Sequence, residues 1–330
     1  MTVHPPISFS TARSTARHVP PRVVDPGRRR RVRWRVVAVL AVAVAGCSDP
    51  PPSPPATIAA PTREDASAGL LVAASGPIQV SDGSGGLRLV DPRSDAAVRV
   101  SAGDGVIVAT KPDGTVAVLD GAAAAHWRAL DLDPVPDGAI RFVAASPSGD
   151  SLAVATGDPT ALTFQLAIVN VAGGGARRSV IKRGLNGGPV WLGPDTIAID
   201  VTAADQMTGF VTIAAASGAL TEHPGPWTTL AAAAGGTRLA VDSSDDGALL
   251  IGDVAGWLAG ETSTFGRVTG PPGASIDQLA VDGPGQRVAV VWRTDAGATI
   301  EVLVRRGPAW TSVLAITEPA DPRVSIAWLG

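Results

Sequence analysis

One pattern recurs along the chain: a short apolar strand, a tight turn of Pro, Gly or Asp, and a second strand rich in Val, Ile, Leu and Ala. It occurs in five stretches: GVIVATKPDGTVAVLD (105–120), IRFVAASPSGDSLAVATG (140–157), GPVWLGPDTIAIDVT (188–202), WTTLAAAAGGTRLAVDSS (227–244) and IDQLAVDGPGQRVAVVW (276–292). Pro and Gly suit such turns because Pro fixes φ and Gly accepts a positive φ. The pattern predicts a series of antiparallel hairpins.

The spacing of these hairpins predicts a repeated blade. The second strand of each unit is expected to begin near Val116, Leu152, Ile197, Leu239 and Val288, at steps of 36, 45, 42 and 49 residues. A period of roughly 40–50 residues is typical of a four-stranded propeller blade. No window shows a convincing helical stripe of apolar residues. An all-β fold is therefore expected.

Each end of the repeat region holds part of a unit. RVSIAWLG (323–330) resembles a first strand, and GLLVAASG (69–76) resembles a second strand without its first. Pairing the two would close a ring and hide the edge strands. We predict a six-bladed β-propeller over 69–330, closed by the strand at 323–330. Seven blades, a β-sandwich and a two-domain fold are the alternatives.

The first 46 residues have the order of a secretory signal peptide. A run of arginines between Arg28 and Arg35 precedes ten uncharged apolar residues, 36–45. A bilayer span needs about 20 apolar residues, whereas a signal core needs 7–15. We expect 1–46 to be removed during export.

Val44-Ala45-Gly46-Cys47 resembles a bacterial lipobox, and Cys47 is the only cysteine in the chain. The resemblance implies cleavage before Cys47 and diacylation of its thiol, which would hold the protein on the extracytoplasmic face of the cell membrane. Two acyl chains anchor stably where one binds only marginally. The alternative is a free thiol. Residues 47–68 contain proline runs and are expected to form an extended spacer.

Removal of the signal changes the net charge. Nine basic residues and one acidic residue precede Cys47, which leaves 18 basic and 29 acidic residues and a net charge near −11. An acidic domain argues against nucleic acid and against electrostatic binding to anionic lipid. Two lysines beside 25 arginines, with abundant Ala and Gly, suggest a GC-rich actinobacterial source.

The stretch SPSGDSLA (146–153) resembles the turn of TolB-type and WD-like propellers, and DGPGQRVAV (282–290) resembles it again. The Trp-Asp signature of true WD repeats is absent from the sequence. The propeller part of LpqB-type actinobacterial lipoproteins looks like the nearest relative. The resemblance covers roughly 69–330 and implies the propeller architecture.

The turns between second and third strands share one face of a propeller. Here we expect them to carry six carboxylates: Asp158, Asp205, Asp242, Asp245, Asp246 and Asp295. We predict a face that docks a basic envelope protein or peptide, without a cofactor, as a binding or scaffold module rather than an enzyme. The alternative is that these carboxylates only keep the domain soluble. Trp257 and Trp310 are expected to be more exposed than the tryptophans of the strands and could anchor a partner.

A weak calcium pattern overlaps this face. Positions 1, 3, 5, 6 and 12 of a calcium loop match Asp242, Ser244, Asp246, Gly247 and Asp253. Position 12 is Asp instead of Glu, and the flanks are predicted strands instead of helices. The alternative is a solvated hairpin loop.

Two enzyme classes remain as alternatives. VLDGAAAAHWRAL (118–130) resembles one blade of a quinone-dependent dehydrogenase, with Trp127 at the docking position. A lactone hydrolase would need carboxylates and asparagine at a central metal, and the mature chain has just two asparagines, Asn170 and Asn186. The histidines of the mature part, His126 and His223, lie in separate blades and lack ligand spacing. A polar, convergent channel would favour an enzyme, and an apolar or narrow channel a scaffold.

Overall fold

The structure, a computed structural model, describes residues 68–74, 77–83, 86–90, 97–120, 127–173, 176–202, 208–243, 247–319 and 324–329. The predicted signal peptide, the lipobox with Cys47 and the spacer up to residue 67 lie outside these ranges. So do Asp205, Ser244, Asp245, Asp246 and His126. In the ranges given, no helix combines the length and the apolarity that crossing a bilayer requires.

The described residues contain twenty-four strands in six antiparallel sheets, with one short helix. Blade 1 consists of β1 (Leu70–Ala74), β2 (Gln79–Ser81), β3 (Leu87–Leu89) and the late strand β24 (Val324–Trp328). Blade 2 consists of β4 (Arg99–Gly103), β5 (Val106–Thr110), β6 (Val116–Asp120) and β7 (Trp127–Ala129). Blade 3 consists of β8 (Ile140–Ala145), β9 (Ser151–Gly157), β10 (Phe164–Asn170) and β11 (Arg177–Ile181).

The remaining blades follow the same order. Blade 4 consists of β12 (Gly184–Trp191), β13 (Thr196–Thr202), β14 (Thr208–Ala214) and β15 (Leu220–Pro224). Blade 5 consists of β16 (Trp227–Ala232), β17 (Leu239–Ser243), β18 (Ala248–Gly252) and β19 (Gly266–Thr269), with the helix α1 (Val254–Leu258) between its last two strands. Blade 6 consists of β20 (Ser275–Val281), β21 (Arg287–Thr294), β22 (Gly297–Arg306) and β23 (Ala309–Pro319).

The blades surround a central channel. In each of blades 2 to 6 the strands are hydrogen-bonded in chain order, and in blade 1 the order is β24-β1-β2-β3. The first strands of neighbouring blades contact one another around a closed ring, so they line the channel and the fourth strands lie outside. The chain therefore forms the predicted six-bladed β-propeller, and neither seven blades nor a β-sandwich.

The ring closes within blade 1. The late strand β24 pairs antiparallel with β1, from Leu70 opposite Trp328 to Ala74 opposite Val324. The backbone N–H of Leu329 also donates to the carbonyl of Gly69 at 2.9 Å. One sheet thus joins segments about 250 residues apart in sequence, and β1 gains a partner on each side.

The second strands are the most deeply buried part of each blade. In β21, residues 288–291 are all 0% exposed, because neighbouring blades cover both faces of the sheet. A strand that is covered on both faces reads as a continuous apolar run instead of an alternating one. This explains the Val-, Ile- and Ala-rich stretches, and each large apolar side chain buried this way stabilises the fold by about 1.5–3 kcal/mol.

The prediction for 105–120 was wrong in one respect. This stretch forms β5 and β6, the second and third strands of blade 2, so Val116 begins a third strand and not a second. The first-to-second-strand connection is instead Asp104-Gly105, with Gly105 at φ 67°. Asp-Gly is a strong signal for a two-residue hairpin, and it was present in the sequence.

Candidate binding site at the mouth of the central channel

The central channel has a cavity at each end, and first-strand residues of all six blades line both cavities. The smaller cavity, about 170 Å³, lies where the first strands end and is walled by residues such as Ala144, Leu230 and Val281. The larger cavity, about 400 Å³, lies where the first strands begin. We call this larger cavity the channel mouth. It opens on the face that carries the turns between second and third strands.

Three neighbouring blades begin their first strands with a β-bulge. The register shifts between Leu185 and Pro189 in β12, between Trp227 and Leu230 in β16, and between Ile276 and Gln278 in β20. A bulge places extra residues opposite one residue of the partner strand and redirects side chains. Second-strand side chains in these blades can therefore approach the channel behind the first strand.

Each bulge holds a polar pair, made of one first-strand and one second-strand side chain. The pairs are Asn186 with Asp200, Thr228 with Asp242, and Asp277 with Arg293. The Thr228 hydroxyl donates to Oδ2 of Asp242 at 2.8 Å, and Asp277 forms an ion pair with Arg293. Blades 4 and 6 thus place the carboxylates of Asp200 and Asp277 at one side of the channel mouth, and blade 5 places the Thr228 hydroxyl there.

Asp200 is a buried carboxylate with a strongly shifted pKa. Its side chain lines the channel mouth, yet the residue is only 7% exposed. Burial raises the pKa of Asp200 to about 7, against the opposing effect of a hydrogen bond from Asn186. A buried ionisable group with a shifted pKa in a cavity is a candidate functional residue.

A glycine in the bulge makes room for this carboxylate. A Cβ atom at Gly187 would lie 3.0 Å from Cβ of Asp200 and 3.3 Å from its Oδ2. Because Gly187 has no side chain, the Asp200 carboxylate can occupy the gap in the first strand. The segment NGG (186–188) therefore builds the opening through which Asp200 faces the channel.

Two arginines lie near the mouth on the side of blades 2 and 3. The Arg99 guanidinium carbon lies 4.3 Å from the ring centroid of Phe142, a cation–π contact. Arg141 is buried and donates from Nη1 to the carbonyl of Gly114 at 3.1 Å and to the carbonyl of Asp133. Arg141 therefore ties backbone segments together, whereas Arg99 lines the channel mouth.

Of the six residues predicted to form the acidic face, the structure describes three: Asp158, Asp242 and Asp295. Asp158 is partly exposed and accepts hydrogen bonds from Thr160, which hold the pKa of its carboxyl below its usual value. Asp295 is exposed on the turn between β21 and β22. The prediction that Asp242 lies on this surface was wrong, because Asp242 is only 8% exposed and contacts Thr228 inside its blade. The partly exposed Lys111 on the turn after β5 shows that the described part of this face is of mixed charge.

The prediction that Asp242 and Asp253 belong to one calcium loop was also wrong. Asp242 is paired with Leu249, whereas Asp253 follows Gly252, which pairs with Leu239 at the other end of the same hairpin. Three residues of strand separate the two ends, about 10 Å, so these two carboxylates cannot share one cation. Asp253 instead caps α1, accepting from the backbone N–H of Gly256 at 2.7 Å. No cluster of three metal-suited side chains occurs in the described residues.

The residues of the enzyme alternatives lie in different places. His223, in the fourth strand β15, contacts Thr212 Oγ1 at 2.9 Å and stacks on Trp257 at 5.4 Å between ring centroids. Burial lowers the pKa of His223. Trp127 lies in the fourth strand β7, and Asn170 ends the third strand β10. Among the described residues of these alternatives, Asn186 is the one that lines the channel mouth.

The tryptophan prediction was also wrong. Trp257 is 3% exposed, since α1 folds its indole against Phe210, with ring centroids 5.6 Å apart. Trp310 is partly buried and packs beside Gly266. Neither indole is positioned as an exposed anchor.

The polar pairs of the three bulges were not predicted, because the candidate site residues were sought in the turns. A signal was nevertheless present: IAID (197–200) and LAVD (239–242) each end an apolar run with a carboxylate. Asp is almost never fully buried unless it is paired, so a carboxylate inside a buried strand indicates a partner nearby. The bulges that supply those partners were not foreseen.

The fold of this chain is similar to that of several solved β-propeller structures. A putative TolB from Agrobacterium tumefaciens aligns over 76% of this chain and 90% of its own, with a TM-score of 0.53 and 14% identity. TolB from Acinetobacter baumannii aligns over 82% of this chain and 68% of its own, with a TM-score of 0.61 and 12% identity. No protein-family model and no curated protein matches the sequence. At this identity the similarity shows the fold alone: the chain shares the β-propeller fold of these TolB structures.

Proposed function

We propose that the protein is a lipid-anchored extracytoplasmic module whose channel mouth docks a protein or peptide partner at the cell envelope. The observation that carries this proposal is the asymmetry of the channel. One end is small and mostly apolar, whereas the other is a cavity of about 400 Å³ with paired polar groups of both signs. Charged groups around an opening steer an oppositely charged partner and fix its orientation.

The anchoring part of the proposal rests on the sequence. Cys47 ends a lipobox-like segment after a basic and apolar run, and a proline-rich spacer separates it from the propeller. Diacylation at Cys47 would tether the domain firmly, and the spacer would hold it away from the membrane. We also propose that the propeller is related to those of LpqB-type actinobacterial lipoproteins.

An enzyme is the second candidate, because Asn186 and Asp200 converge on the channel mouth, and a polar, convergent channel is the property that favours an enzyme. A lactone hydrolase or a quinone-dependent dehydrogenase would place its substrate there. Steady-state turnover of a panel of sugar lactones, and of sugars and alcohols with added quinone, tests this alternative. Turnover that is abolished by Asn186→Ala would favour the enzyme over the docking module.

The docking proposal is tested by placing a photocrosslinking amino acid at chosen positions of the full chain in its own membranes. Thr229 lines the channel mouth, whereas Leu220 is exposed on the fourth strand of blade 4. We expect one discrete adduct from Thr229 that is absent from Leu220, and its loss when Cys47→Ala releases the protein. The same adducts from both positions would contradict docking at the mouth.

A further inference from the structure

Asp200 occupies an unusual position for a carboxylate. It belongs to the apolar second strand of blade 4, where residues 197–199 are 0% exposed. The bulge in β12 opens the first strand in front of it, and Gly187 leaves the gap unfilled. The side chain is therefore more than nine-tenths buried and still lines the channel mouth.

The hydrogen bonding of this carboxylate is incomplete. Nδ2 of Asn186 donates to Oδ1 at 3.4 Å, which is longer than the usual 2.7–3.2 Å, and the described residues show no other hydrogen bond to either oxygen. An ionised carboxylate offers about four acceptor sites. Burying it without partners is costly unless a cation pairs with it.

We propose that Asp200 is the counterion for a guanidinium or ammonium side chain that a partner inserts into the channel mouth. The inference rests on the proposed docking function and names the group that is recognised. A guanidinium fits because its planar N–H groups can bind both carboxylate oxygens at once. An ammonium fits as a compact charge with three donors.

The other charged groups of the mouth confine the cation to this side. Arg99, from blade 2, holds its positive charge over Phe142 and disfavours a second cation beside it. Asp277, from blade 6, is already in an ion pair with Arg293. Asp242, behind Thr228 in blade 5, accepts from that hydroxyl. Of the two described carboxylates that line the mouth, Asp277 therefore has a cationic partner, whereas Asp200 in blade 4 has only the long hydrogen bond from Asn186.

The experiment is isothermal titration of the full chain in detergent with N-acetyl-arginine amide and N-acetyl-lysine amide. N-acetyl-citrulline amide is the neutral control, because it matches the shape of the arginine ligand without its charge. We expect the wild-type protein to bind at least one cationic amide at least about 10-fold more tightly than the citrulline amide. Equal binding of all three amides, or no binding of either cation, would overturn the proposal.

Proton release gives a second readout that does not depend on a variant. Because burial raises the pKa of Asp200 to about 7, the carboxyl is partly protonated near neutral pH before a cation binds. Binding should therefore release protons, measurable by titration between about pH 5.5 and pH 7.5 in buffers of different ionisation enthalpy. Binding without proton release at every pH of this range would rule out Asp200 as the counterion.

Asp200→Asn removes the charge and keeps the size of the side chain. Asp195→Asn is the matched control, because Asp195 is exposed on the turn between β12 and β13, at the opposite end of the strand that carries Asp200. We expect the first substitution to reduce cation affinity at least about 10-fold and the second to leave it unchanged.

The yield of the photocrosslinked adduct from Thr229 distinguishes the counterion proposal from the docking proposal. If Asp200→Asn still gives that adduct at full yield, docking stands and the counterion proposal fails. If the amides bind through Asp200 and no adduct forms, the cation site stands and the protein-docking proposal fails.

Discussion

The indole Nε1 of Trp328 donates a hydrogen bond to the backbone carbonyl of Ala280, 3.3 Å away in the neighbouring blade. The guanidinium carbon of Arg287 lies 4.3 Å from the centroid of the same indole. Arg287 is held in turn by Asp282, which accepts from its Nε at 2.8 Å. The closing strand β24 is therefore fixed to blade 6 by side chains as well as to β1 by backbone pairing.

Replacing Trp328 by Phe tests the first of these contacts. Trp328→Phe keeps an aromatic ring near Arg287 but leaves the buried carbonyl of Ala280 without its donor. We expect the free energy of unfolding to fall by about 1–3 kcal/mol, measured by urea denaturation. Trp191→Phe is the matched variant, since its indole donates to the carbonyl of Ala144 at 3.2 Å in the same way. A loss for Trp191→Phe with none for Trp328→Phe would contradict the role assigned to the closing strand.

Asp282 organises the turn beneath this contact. It is 2% exposed, and its Oδ1 accepts from the backbone N–H groups of Gln286 at 2.7 Å and Arg287 at 2.9 Å. Removing the charge with Asp282→Asn leaves the Arg287 guanidinium less compensated, so we expect a loss of about 3 kcal/mol in chemical denaturation. Asp113→Asn on an exposed turn should change stability by less than about 0.5 kcal/mol. Equal effects of the two substitutions would show that Asp282 has no special structural role.

Gly149 is expected to be required at the contact between blades 2 and 3. Its φ is 73°, and a Cβ there would lie 2.2 Å from the carbonyl oxygen of Asp104. Gly105 has a similar φ of 67° with nothing within 4 Å of its Cβ position, so Gly105→Ala measures the backbone strain alone. We expect Gly105→Ala to cost about 1–2 kcal/mol and Gly149→Ala about 1–3 kcal/mol more in thermal or urea unfolding. Similar losses of stability in both variants would mean that the turns at Asp104 and Gly149 can move apart without lowering the free energy of unfolding further.

Much of the fold could be predicted because its signals are local. Turns such as SPSGD (146–150) and DGPGQ (282–286) each connect two apolar strands. The distance from one such turn to the next predicts four strands in each unit. The strand assigned to 323–330 lies at Val324–Trp328 and pairs with β1. The error at 105–120 arose because two different turns of one blade share the same chemistry, and local turn chemistry does not say which pair of strands it joins.

The candidate site could not be predicted in the same way. Whether a strand residue faces the channel depends on register, and a bulge shifts the register by one residue. The sequence puts Asp200 and Asp242 at the ends of apolar strands, but it does not show that bulges in the neighbouring first strands place polar partners beside them. Trp257 was missed for a related reason: its burial depends on α1 packing against Phe210, a contact between elements more than 40 residues apart.

Asp200 should make the propeller less stable as the pH rises. Burial raises the pKa of Asp200 to about 7 from its usual value near 3.8, so between these pH values the folded chain keeps a proton that the unfolded chain releases. Linkage then lowers the free energy of unfolding between about pH 4 and pH 7, by up to about 4 kcal/mol. Asp200→Asn has no charge to bury, so its stability relative to wild type should increase from pH 4 to pH 8 in urea denaturation. Asp295→Asn should show no such trend, and a pH-independent difference for Asp200→Asn would mean that the carboxyl is not buried as described.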